Sequence, residues 1–457
     1  MQTSQLHAAL AAFQARFGDH FTTNLTLREQ HAHTQTWLPN QPADGVLFAV
    51  DRQMVVDAVK LCAEYACPVI PFGTGTSLEG HVNAPHGGIC IDVSRMDKVL
   101  HIHAEDLAVV VQPGVTREAL NVALRHTGLF FPIDPGANAS LGGMASTRAS
   151  GTNAVRYGTM KDVVLGLEVV TASGEVIRTA SRAKKSAAGY DLTRLFVGSE
   201  GTLGIITELT LKVFGRPEQV AGGVCAFPTV LDACNAVIMT IQAGIPVARI
   251  ELLDALQIHA CNRYSKLAMA EQPTLFVEFH GSAASVQEQA ESFAAIASEY
   301  GAGAFTWSSN QQELAQLWKA RHHAFFAAQA LRPGTRAYSS DACVPISRLA
   351  ECVEETRQDL ESSGMVATIL GHVGDGNFHI ILLVDLDNPA EIEKAEGIVS
   401  RISQRAIAME GTCTGEHGIG QGKRGYLRDE LGAAVDVMQA IKHALDPQGI
   451  MNPGKVF

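Results

Sequence analysis

Two histidines bracket a glycine-rich turn in the stretch GHVGDGNFHIILL, residues 371–383. His372 precedes the turn and His379 follows it, and the residues G-D-G-N between them disfavour a helix. A turn that runs into a strand, FHIILLV, can fold the two imidazoles toward one another. Neutral imidazoles are common metal ligands in proteins, so the pair is a candidate for half of a metal site.

A second glycine-rich segment, TCTGEHGIGQGKRG (412–425), places Glu416 and His417 side by side. Two histidines and one carboxylate, with coordination positions left open, form the usual ligand set of a catalytic divalent metal. Histidines of this kind are also common as solvent-facing or hydrogen-bonded residues. From the residues alone, a metal site and an ordinary pair of loops both stay open.

Three glycine-rich segments in the first half suggest a different ligand. They are PFGTGTSLEG (71–80), PIDPGANASLGGMASTRASGTNAVRYGT (132–159) and GSEGTLGIIT (198–207). Glycines allow positive φ angles and close backbone approach, and the hydroxyls add donors for a diphosphate. Ser140 precedes a short predicted helix whose free N–H groups are expected to point at an anion. The spacing matches neither G-x-G-x-x-G nor a Walker pattern, which argues against a Rossmann site. Each segment alone also fits a tight turn, but together they favour a large phosphate-bearing ligand.

The elements that must position these residues change character along the chain. PVIPF, GICIDVS and LAVVVQPG are predicted strands, and REALNVALRHTG is a predicted short helix. After Gly215-Arg216-Pro217, strand and helix patterns alternate, which predicts an α+β domain with helices over an antiparallel sheet. We therefore expect an N-terminal domain at 1–217 and a C-terminal domain at 218–457.

Composition excludes several classes of protein. The chain has 457 residues, enough for two or three domains, and its 46% hydrophobic and 18% charged residues are ordinary for a globular protein. A net charge of −12 argues against a nucleic-acid binder. Nine scattered cysteines without a C-x-x-C pair argue against Fe–S clusters and a disulfide framework, and suit a reducing compartment.

The N-terminal sequence MQTSQLHAALAAFQARFGDH predicts an amphipathic helix rather than a targeting segment. It lacks the positive start and unbroken apolar stretch of a secretory signal, and the Arg and Ser content of a mitochondrial presequence. The sequence contains no run of about 18 apolar residues, so we expect no membrane-spanning helix. We therefore expect a cytoplasmic location, with peripheral attachment to the inner membrane as the alternative.

The three glycine-rich segments together resemble the FAD-binding domain of the flavoprotein family of vanillyl-alcohol oxidase and p-cresol methylhydroxylase. That resemblance implies a two-part FAD-binding domain followed by a C-terminal α+β domain, and non-covalent FAD. It implies that the first loop binds the pyrophosphate and that the later segments line the rest of the cofactor. The residues implied are Gly73, Thr74, Gly75, Thr76, Ser77 and Gly80, then Pro132, Asp134, Gly136, Ser140, Gly142, Gly143, Ser146 and Gly151, then Glu200, Gly204 and Ile206, and in the terminal segment Asn452.

The segments HVGDGNFH and GTCTGEHGIGQGKR are similar to the metal and active-site segments of FAD-linked D-2-hydroxy-acid dehydrogenases. The likeness extends through LWKARHHAFF, YSSDACVPISRL and LDPQGIMNPGKVF and is strongest to the D-lactate dehydrogenase (cytochrome) branch. It implies that His372, His379 and Glu416 bind a divalent ion, zinc or manganese. It also implies that His417 is the general base and that Arg321 pairs with the substrate carboxylate.

Two departures from the D-2-hydroxyglutarate enzymes narrow the expected substrate. Ser339 stands where those enzymes have a lysine for the distal carboxylate, and Ile381 stands where they have an asparagine. Both changes favour a monocarboxylic acid such as D-lactate or a small aliphatic homologue. A D-2-hydroxyglutarate dehydrogenase, an O₂-using oxidase and a non-catalytic flavin- or metal-binding subunit are the alternatives.

Reduced flavin must pass its electrons on. The sequence has neither a haem-attachment motif nor Fe–S spacing, so we expect a separate acceptor: a cytochrome, a quinone or an electron-transferring flavoprotein. A homodimer is compatible with the sequence, which leaves the oligomeric state open.

Overall fold

The computed structural model describes residues 3–457. The helices are α1 (Thr3–Phe17), α2 (Leu25–Ala32), α3 (Arg52–Glu64), α4 (Arg117–Leu124), α5 (Leu141–Thr147), α6 (Ala154–Tyr157), α7 (Met160–Val163), α8 (Leu192–Phe196), α9 (Val230–Gln242), α10 (Ala255–Ser265), α11 (Ala283–Glu299), α12 (Gln311–His322), α13 (Ala324–Gln329), α14 (Leu349–Ser363), α15 (Pro389–Ala408), α16 (Arg424–Leu431) and α17 (Ala434–Leu445). Short 3₁₀ turns occupy Gly18–His20, Ile346–Arg348 and Val373–Asp375.

The strands lie between these helices. They are β1 (Phe21–Thr22), β2 (Gly45–Phe48), β3 (Val69–Phe72), β4 (Ile89–Asp92), β5 (Val99–His103), β6 (Ala108–Val111), β7 (Leu129–Phe130), β8 (Val164–Thr171), β9 (Val176–Arg178), β10 (Gly204–Lys212), β11 (Phe214–Gly215), β12 (Gln219–Ala226), β13 (Val247–Leu253), β14 (Thr274–Gly281), β15 (Thr306–Ser308), β16 (Arg336–Ser339), β17 (Ala342–Cys343), β18 (Ala367–Gly371) and β19 (Asn377–Val384).

The chain divides into two compact units that interleave in sequence. Unit 1 comprises Met1–Ser150, Gly158–Arg216 and Glu416–Phe457, and unit 2 comprises Gly151–Tyr157 and Pro217–Gly415. The expected domains are 1–217 and 218–457, the second with a last segment that returns to the flavin; in the structure 416–457 belongs to unit 1 and 151–157 belongs to unit 2. Their assignment as the FAD-binding and substrate domains stays a prediction.

Unit 1 contains two larger sheets. The first has the order β1-β2-β4-β3, in which β2, β4 and β3 run parallel, and the second has the antiparallel order β5-β6-β10-β8-β9. Helix α3 covers the first sheet because Val55, Val59 and Cys62 recur on one face, and its start is fixed by Asp51, whose carboxylate accepts the N–H of Met54 at 2.8 Å. This two-part arrangement confirms the predicted N-terminal fold.

Unit 2 is built on one large antiparallel sheet of order β15-β12-β14-β13-β18-β19-β16, with β17 pairing β19. Side chains of β19 alternate between its two faces. Phe378 and Ile380 lie in a core that also includes residues of α9, α11, α14 and α15, while Ile381 and Leu383 lie in a second core with residues of α12 and α13. His379 therefore belongs to the second face. The predicted α+β C-terminal fold is confirmed.

The structure also bears on membrane-spanning segments and on the cysteines. Within residues 3–457, no helix is both long and apolar enough to cross a membrane. The nine cysteines are all free thiols, and all are buried except the half-buried Cys343. Eight of the nine cysteines are therefore packing residues of the protein interior.

Candidate active site

The first glycine-rich loop of unit 1 begins where β3 ends, and it touches the second loop. A Cβ atom on Gly73 would lie 2.3 Å from Oγ of Ser140, and the backbone N–H of Ser140 donates to Oγ1 of Thr74 at 3.3 Å. Positive φ angles at Gly75 (+63°) and Gly80 (+73°) require residues without a Cβ penalty. The structure thus brings together the loop that is expected to bind the pyrophosphate and the segment that is expected to line the rest of the cofactor.

Two buried hydroxyls in these loops test whether a polar ligand fits there. Oγ of Ser77 and Oγ of Ser140 are both buried and have no hydrogen-bond partner among residues 3–457. A buried hydroxyl without a partner is unfavourable by roughly 1–3 kcal/mol. Phosphate oxygens of FAD would accept from both groups, so the loops fit the cofactor that the resemblance implies.

The start of helix α5 differs from the prediction. The N–H of Leu141 donates to the carbonyl of Val115 at 2.8 Å, and the N–H of Gly142 donates to the carbonyl of Pro113 at 2.9 Å. The prediction that free N–H groups of this helix point at an anion is therefore wrong for these two residues. Gly142 is needed for packing instead, because its Cβ would lie 2.5 Å from Cβ of Pro113.

The other residues that the resemblance assigns to the second and third segments are distributed over both units. Ser146 uses its hydroxyl inside α5, where it donates to the carbonyl of Gly142 at 2.8 Å. Ile206 is a core residue of β10. The structure adds no contact that links these residues to a cofactor, so their role in binding FAD stays a prediction: Thr76, Pro132, Asp134, Gly136, Gly143, Ser146, Gly151, Gly204 and Ile206.

Glu200 is buried and already has protein partners. Its carboxylate accepts the backbone N–H groups of Ile419 and Gly420, both at 2.7 Å, and lies 3.0 Å from Nε2 of His81. Burial alone would raise the pKa of this carboxyl, but His81 and the two N–H groups lower it overall. The carboxylate of Glu200 is expected to line the cofactor, but in the structure it binds the backbone of the segment that follows Glu416.

Asn452 ties the end of the chain to the same loops. Its side-chain amide donates to the carbonyl of Glu200 at 2.7 Å and to the carbonyl of His81 at 3.2 Å. Glu200 belongs to the third glycine-rich segment and His81 directly follows the first. Asn452 therefore supports the backbone of these loops. Contact of Asn452 with FAD stays a prediction.

His417 also lies in unit 1 and is largely buried. Its Nδ1 atom lies 3.8 Å from Oε1 of Glu79, and Nζ of Lys423 lies 3.4 Å from the same oxygen. Sequence analysis missed both neighbours. Glu79 stands in the first glycine-rich loop as a lone charge between Leu78 and Gly80, and that position was the available signal.

In unit 2 the structure brings His372 and His379 together. Their ring centroids are 5.4 Å apart, the ring planes are nearly perpendicular at 84°, and each offers a ligand atom within 4.8 Å of the other. This geometry follows from the fold, because β18 and β19 are antiparallel neighbours joined by the turn between the histidines. Two imidazoles at this separation can bind one ion.

The same histidines are oriented through their Nδ1 atoms. Nδ1 of His372 lies 2.8 Å from Oε1 of Glu251, and Nδ1 of His379 lies 3.3 Å from the carbonyl of Ser340 and 3.5 Å from Oδ1 of Asp341. Carbonyl and carboxylate oxygens only accept, so each Nδ1 carries the proton. Each ring then presents the lone pair of Nε2, the arrangement by which second partners orient metal-binding histidines.

Arg321 is buried, and its partner is a carboxylate of the protein. Its Nε and Nη2 atoms donate to Oε2 of Glu251 at 2.9 and 2.5 Å. Burial would raise the pKa of Glu251, but His372 and Arg321 lower it overall, so one carboxylate serves both residues. Arg321 is therefore not an arginine of the helix surface, and its binding to a substrate carboxylate stays a prediction for the remaining N–H donors.

Glu251 and Asp341 are the functional residues that sequence analysis missed in unit 2. Glu251 is fully buried in the strand VARIELL, where a charge in an apolar run was the available signal. Asp341 is also buried, and its Oδ1 accepts from Nδ2 of Asn377 at 2.7 Å. Neither residue is close in sequence to the histidine that it orients.

Glu416, the third expected ligand, is the first residue of the last segment of unit 1. The residue before it, Gly415, ends unit 2, where a Cβ on Gly415 would lie 2.2 Å from Nδ2 of Asn377 and 3.2 Å from Oδ1 of Asp341. Consecutive Cα atoms are about 3.8 Å apart. Glu416 therefore follows directly on a residue of unit 2 that packs against Asn377, and its ligation of an ion stays a prediction.

Ser339 and Ile381, the two positions that differ from the D-2-hydroxyglutarate enzymes, lie opposite each other on neighbouring strands. They are register partners on β16 and β19, and Ile381 is buried with Leu253, Phe276 and Leu383. Ile381 lies two residues beyond His379, so both side chains are on the same face of β19. The sheet next to the histidine pair is therefore apolar.

Comparison with known proteins gives two family matches and several relatives. The FAD-binding domain model matches residues 43–180, and the model of the C-terminal domain of FAD-linked oxidases matches residues 216–456. The chain is 50% identical to the probable mitochondrial D-lactate dehydrogenase of Danio rerio, covering 100% of this chain and 93% of that protein. It is 46% identical to the mitochondrial D-lactate dehydrogenase [cytochrome] of Arabidopsis thaliana, covering 96% and 78%.

The solved structure of p-cresol methylhydroxylase with substrate bound is similar in fold. Its TM-score is 0.81 at 18% sequence identity, and the match covers 100% of this chain and 97% of that one. At this identity the similarity carries the fold and not the substrate.

Proposed function

Because the chain belongs to the family of FAD-linked oxidases, within its D-lactate dehydrogenase (cytochrome) group, we propose that it oxidises a D-2-hydroxy acid to the 2-oxo acid. The substrate we propose is D-lactate or a small aliphatic homologue. The observation that carries the proposal is the histidine pair of unit 2, since Nδ1 of His372 and Nδ1 of His379 are both held by acceptors. Such a pair is typical of a metal site and not of a passive loop.

We propose that His372, His379 and Glu416 hold a zinc or manganese ion and that the glycine-rich loops of unit 1 hold non-covalent FAD. When bound, the ion lowers the pKa of the substrate hydroxyl and FAD supplies N5 as the hydride acceptor. The protein supplies the ligand geometry, with Glu251 and the carbonyl of Ser340 holding the Nδ1 atoms of the two rings.

His417 takes the proton of the substrate hydroxyl in this proposal. It stands next to Glu416 in the chain, and an imidazole is a suitable acceptor of a proton near neutral pH. Arg321 contributes its remaining N–H donors to the substrate carboxylate, and Glu251 keeps its guanidinium from turning away.

The apolar face beside His379 supports a small monocarboxylic substrate. Ile381 and its register partner Ser339 offer no cation for a second carboxylate. A D-2-hydroxyglutarate dehydrogenase is therefore the less favoured alternative, and an oxidase that uses O₂ would not need the histidine pair.

We propose that a separate carrier, a cytochrome, a quinone or an electron-transferring flavoprotein, reoxidises the flavin. Both relatives are named as mitochondrial proteins, and the name of the Arabidopsis thaliana protein includes a cytochrome. For this chain, a cytoplasmic location, with peripheral attachment to the inner membrane as the alternative, and a homodimer stay predictions.

The test is anaerobic bleaching of the flavin in the purified protein by a panel of 2-hydroxy acids. We expect D-lactate to bleach the flavin fast, with L-lactate and D-2-hydroxyglutarate far slower. Treatment with a chelator should slow bleaching, and added Zn²⁺ or Mn²⁺ should restore it.

The panel also separates the alternatives. D-2-hydroxyglutarate far ahead of D-lactate would contradict the proposed substrate. Bleaching that is unaffected by complete metal removal would contradict the metal site, and rapid H₂O₂ formation in air would indicate an oxidase.

A further inference from the structure

We propose that Glu200 is a positioning residue for the segment 416–420, and that it couples this segment to the flavin-binding loops. Glu200 would act through His417, the general base of the proposed function, and the inference rests on that function for its effect on catalysis. Sequence analysis expected Glu200 to line the cofactor. The contacts of its carboxylate assign it a different role.

The carboxylate of Glu200 holds the backbone two and three residues beyond His417. Oε1 accepts from the N–H of Ile419 and Oε2 accepts from the N–H of Gly420, both at 2.7 Å. Hydrogen bonds to an ionised acceptor are roughly twice as strong as neutral ones. Two such bonds from one side chain fix both the position and the direction of the segment.

The fold also fixes Glu200 itself from several sides. Its φ angle of +55° is unusual for a residue with a side chain, and its N–H donates to the carbonyl of Ser146 in α5 at 2.8 Å. Its carbonyl accepts from Asn452 at 2.7 Å, and His81 lies 3.0 Å from its carboxylate. Glu200 therefore joins the first two flavin-binding loops to the segment that carries His417.

The close packing around the carboxylate explains a glycine in that segment. Gly418 has a φ angle of +81°, and a Cβ on it would lie 2.7 Å from Oε1 of Glu200 and 2.9 Å from Nε2 of His81. A side chain at this position would push the segment away from Glu200. The two contacts and the glycine belong to one arrangement.

Hydrogen–deuterium exchange on the FAD-loaded protein tests the inference directly. In Glu200→Gln the side-chain amide faces N–H donors, so the bonds to Ile419 and Gly420 are weakened. We expect amide exchange in 416–425 to become at least about tenfold faster. The matched control is Glu168→Gln, which removes another buried carboxylate of unit 1 that binds Arg178 and Arg52 and makes no contact with the segment.

Kinetics provide the second measurement. Misplacement of a catalytic group by about 1 Å can lower a rate by about 10²-fold, so kcat for D-lactate should fall by that order while KM changes little. The pH profile of kcat should shift in Glu200→Gln and not in Glu168→Gln. Glu200→Asp, which keeps the charge, should recover part of the rate.

The outcomes separate this inference from the proposed function. Faster exchange in 416–425 with an unchanged pH profile would support positioning by Glu200 and contradict His417 as the base. Unchanged exchange in Glu200→Gln protein that retains FAD would overturn the inference. If Glu200→Gln does not fold, Gly418→Ala disturbs the same contact from the other side, and unchanged exchange in that variant would overturn it equally.

Discussion

The glycine-rich loops of unit 1, which we propose bind the flavin, and the histidine pair of unit 2 are built in different ways. The conformation of the loops depends on close backbone packing. Gly73 leaves space for the side chain of Ser140, and Asn452 donates to two backbone carbonyls. The histidine pair depends partly on a distant side chain, because the carboxylate of Glu251 holds Nδ1 of His372, while the carbonyl of Ser340 holds Nδ1 of His379. A backbone site is sensitive to added atoms, whereas a side-chain site is sensitive to lost partners.

This difference leads to separate expectations for the two units. Substitutions in the histidine pair should remove the metal and leave FAD bound. Substitutions in the loops should weaken FAD and leave the metal-binding residues intact. His379→Ala, Glu251→Gln and Gly73→Ala test whether loss of the metal and loss of FAD stay separate.

The largest expected effect comes from His379→Ala. Removing one ligand should abolish metal binding and lower kcat for D-lactate by about 10³-fold, since a catalytic ion contributes several kcal/mol to the transition state. Measurement of bound metal together with flavin absorbance tests this, and the FAD content should equal that of the unchanged protein. The control is His322→Ala, a half-buried histidine of unit 2 that lies outside the expected ligand set and whose Nδ1 is 2.6 Å from the carbonyl of Trp318. Loss of FAD along with the metal would contradict the separation.

Glu251→Gln should lower metal affinity by about 10- to 100-fold, the usual effect of removing a partner that orients a metal-binding histidine. The amide cannot keep both the N–H of His372 and the guanidinium of Arg321 as strongly as a carboxylate does. Competition with a metal-binding dye measures the affinity. Glu278→Gln is the matched control, because Glu278 is a buried carboxylate of the same sheet that bonds His280 and not the histidine pair. Equal losses in the two variants would show that any buried charge in unit 2 has this effect.

The same contrast explains what could be predicted from the sequence. The glycine-rich loops, the strand LAVVVQPG and the turn between the two histidines are local patterns, and the structure contains all of them as β6 and as the loops described. The structure also pairs His372 with His379, as the turn and the following strand suggested.

What could not be predicted depends on pairing between distant residues. Glu251 contacts His372 and Arg321 only because β13 pairs with β18 and because α12 carries Arg321 to this strand. The partners of Leu141 and Gly142 are carbonyls from an earlier strand end, so a free helix start could not be distinguished from an occupied one. Such contacts require the sheet order, which no local pattern contains.

In unit 1, Gly73→Ala should weaken FAD binding by one to two orders of magnitude. The new Cβ would lie 2.3 Å from Oγ of Ser140, and crowding of this kind is unfavourable by about 1–3 kcal/mol. Flavin fluorescence on dilution measures the dissociation constant. Gly215→Ala is the control, because Gly215 lies outside the glycine-rich loops and a Cβ on it would meet no atom of the described residues within 4 Å.

The smallest expected effect concerns acid stability and Glu278→Gln. Burial would raise the pKa of Glu278, but Arg249 and His280 lower it below its ordinary value of 4.5. A carboxyl with a lowered pKa in the folded state stabilises the protein above pH 4.5, and this contribution is lost as the pH falls through the folded-state pKa. The free energy of unfolding should therefore be lower in Glu278→Gln at neutral pH, and the gap should close below pH 4.5. Urea unfolding followed by circular dichroism from pH 7 to pH 3 measures the gap, and a gap that is constant over this range would show that Glu278 acts by packing and not by charge.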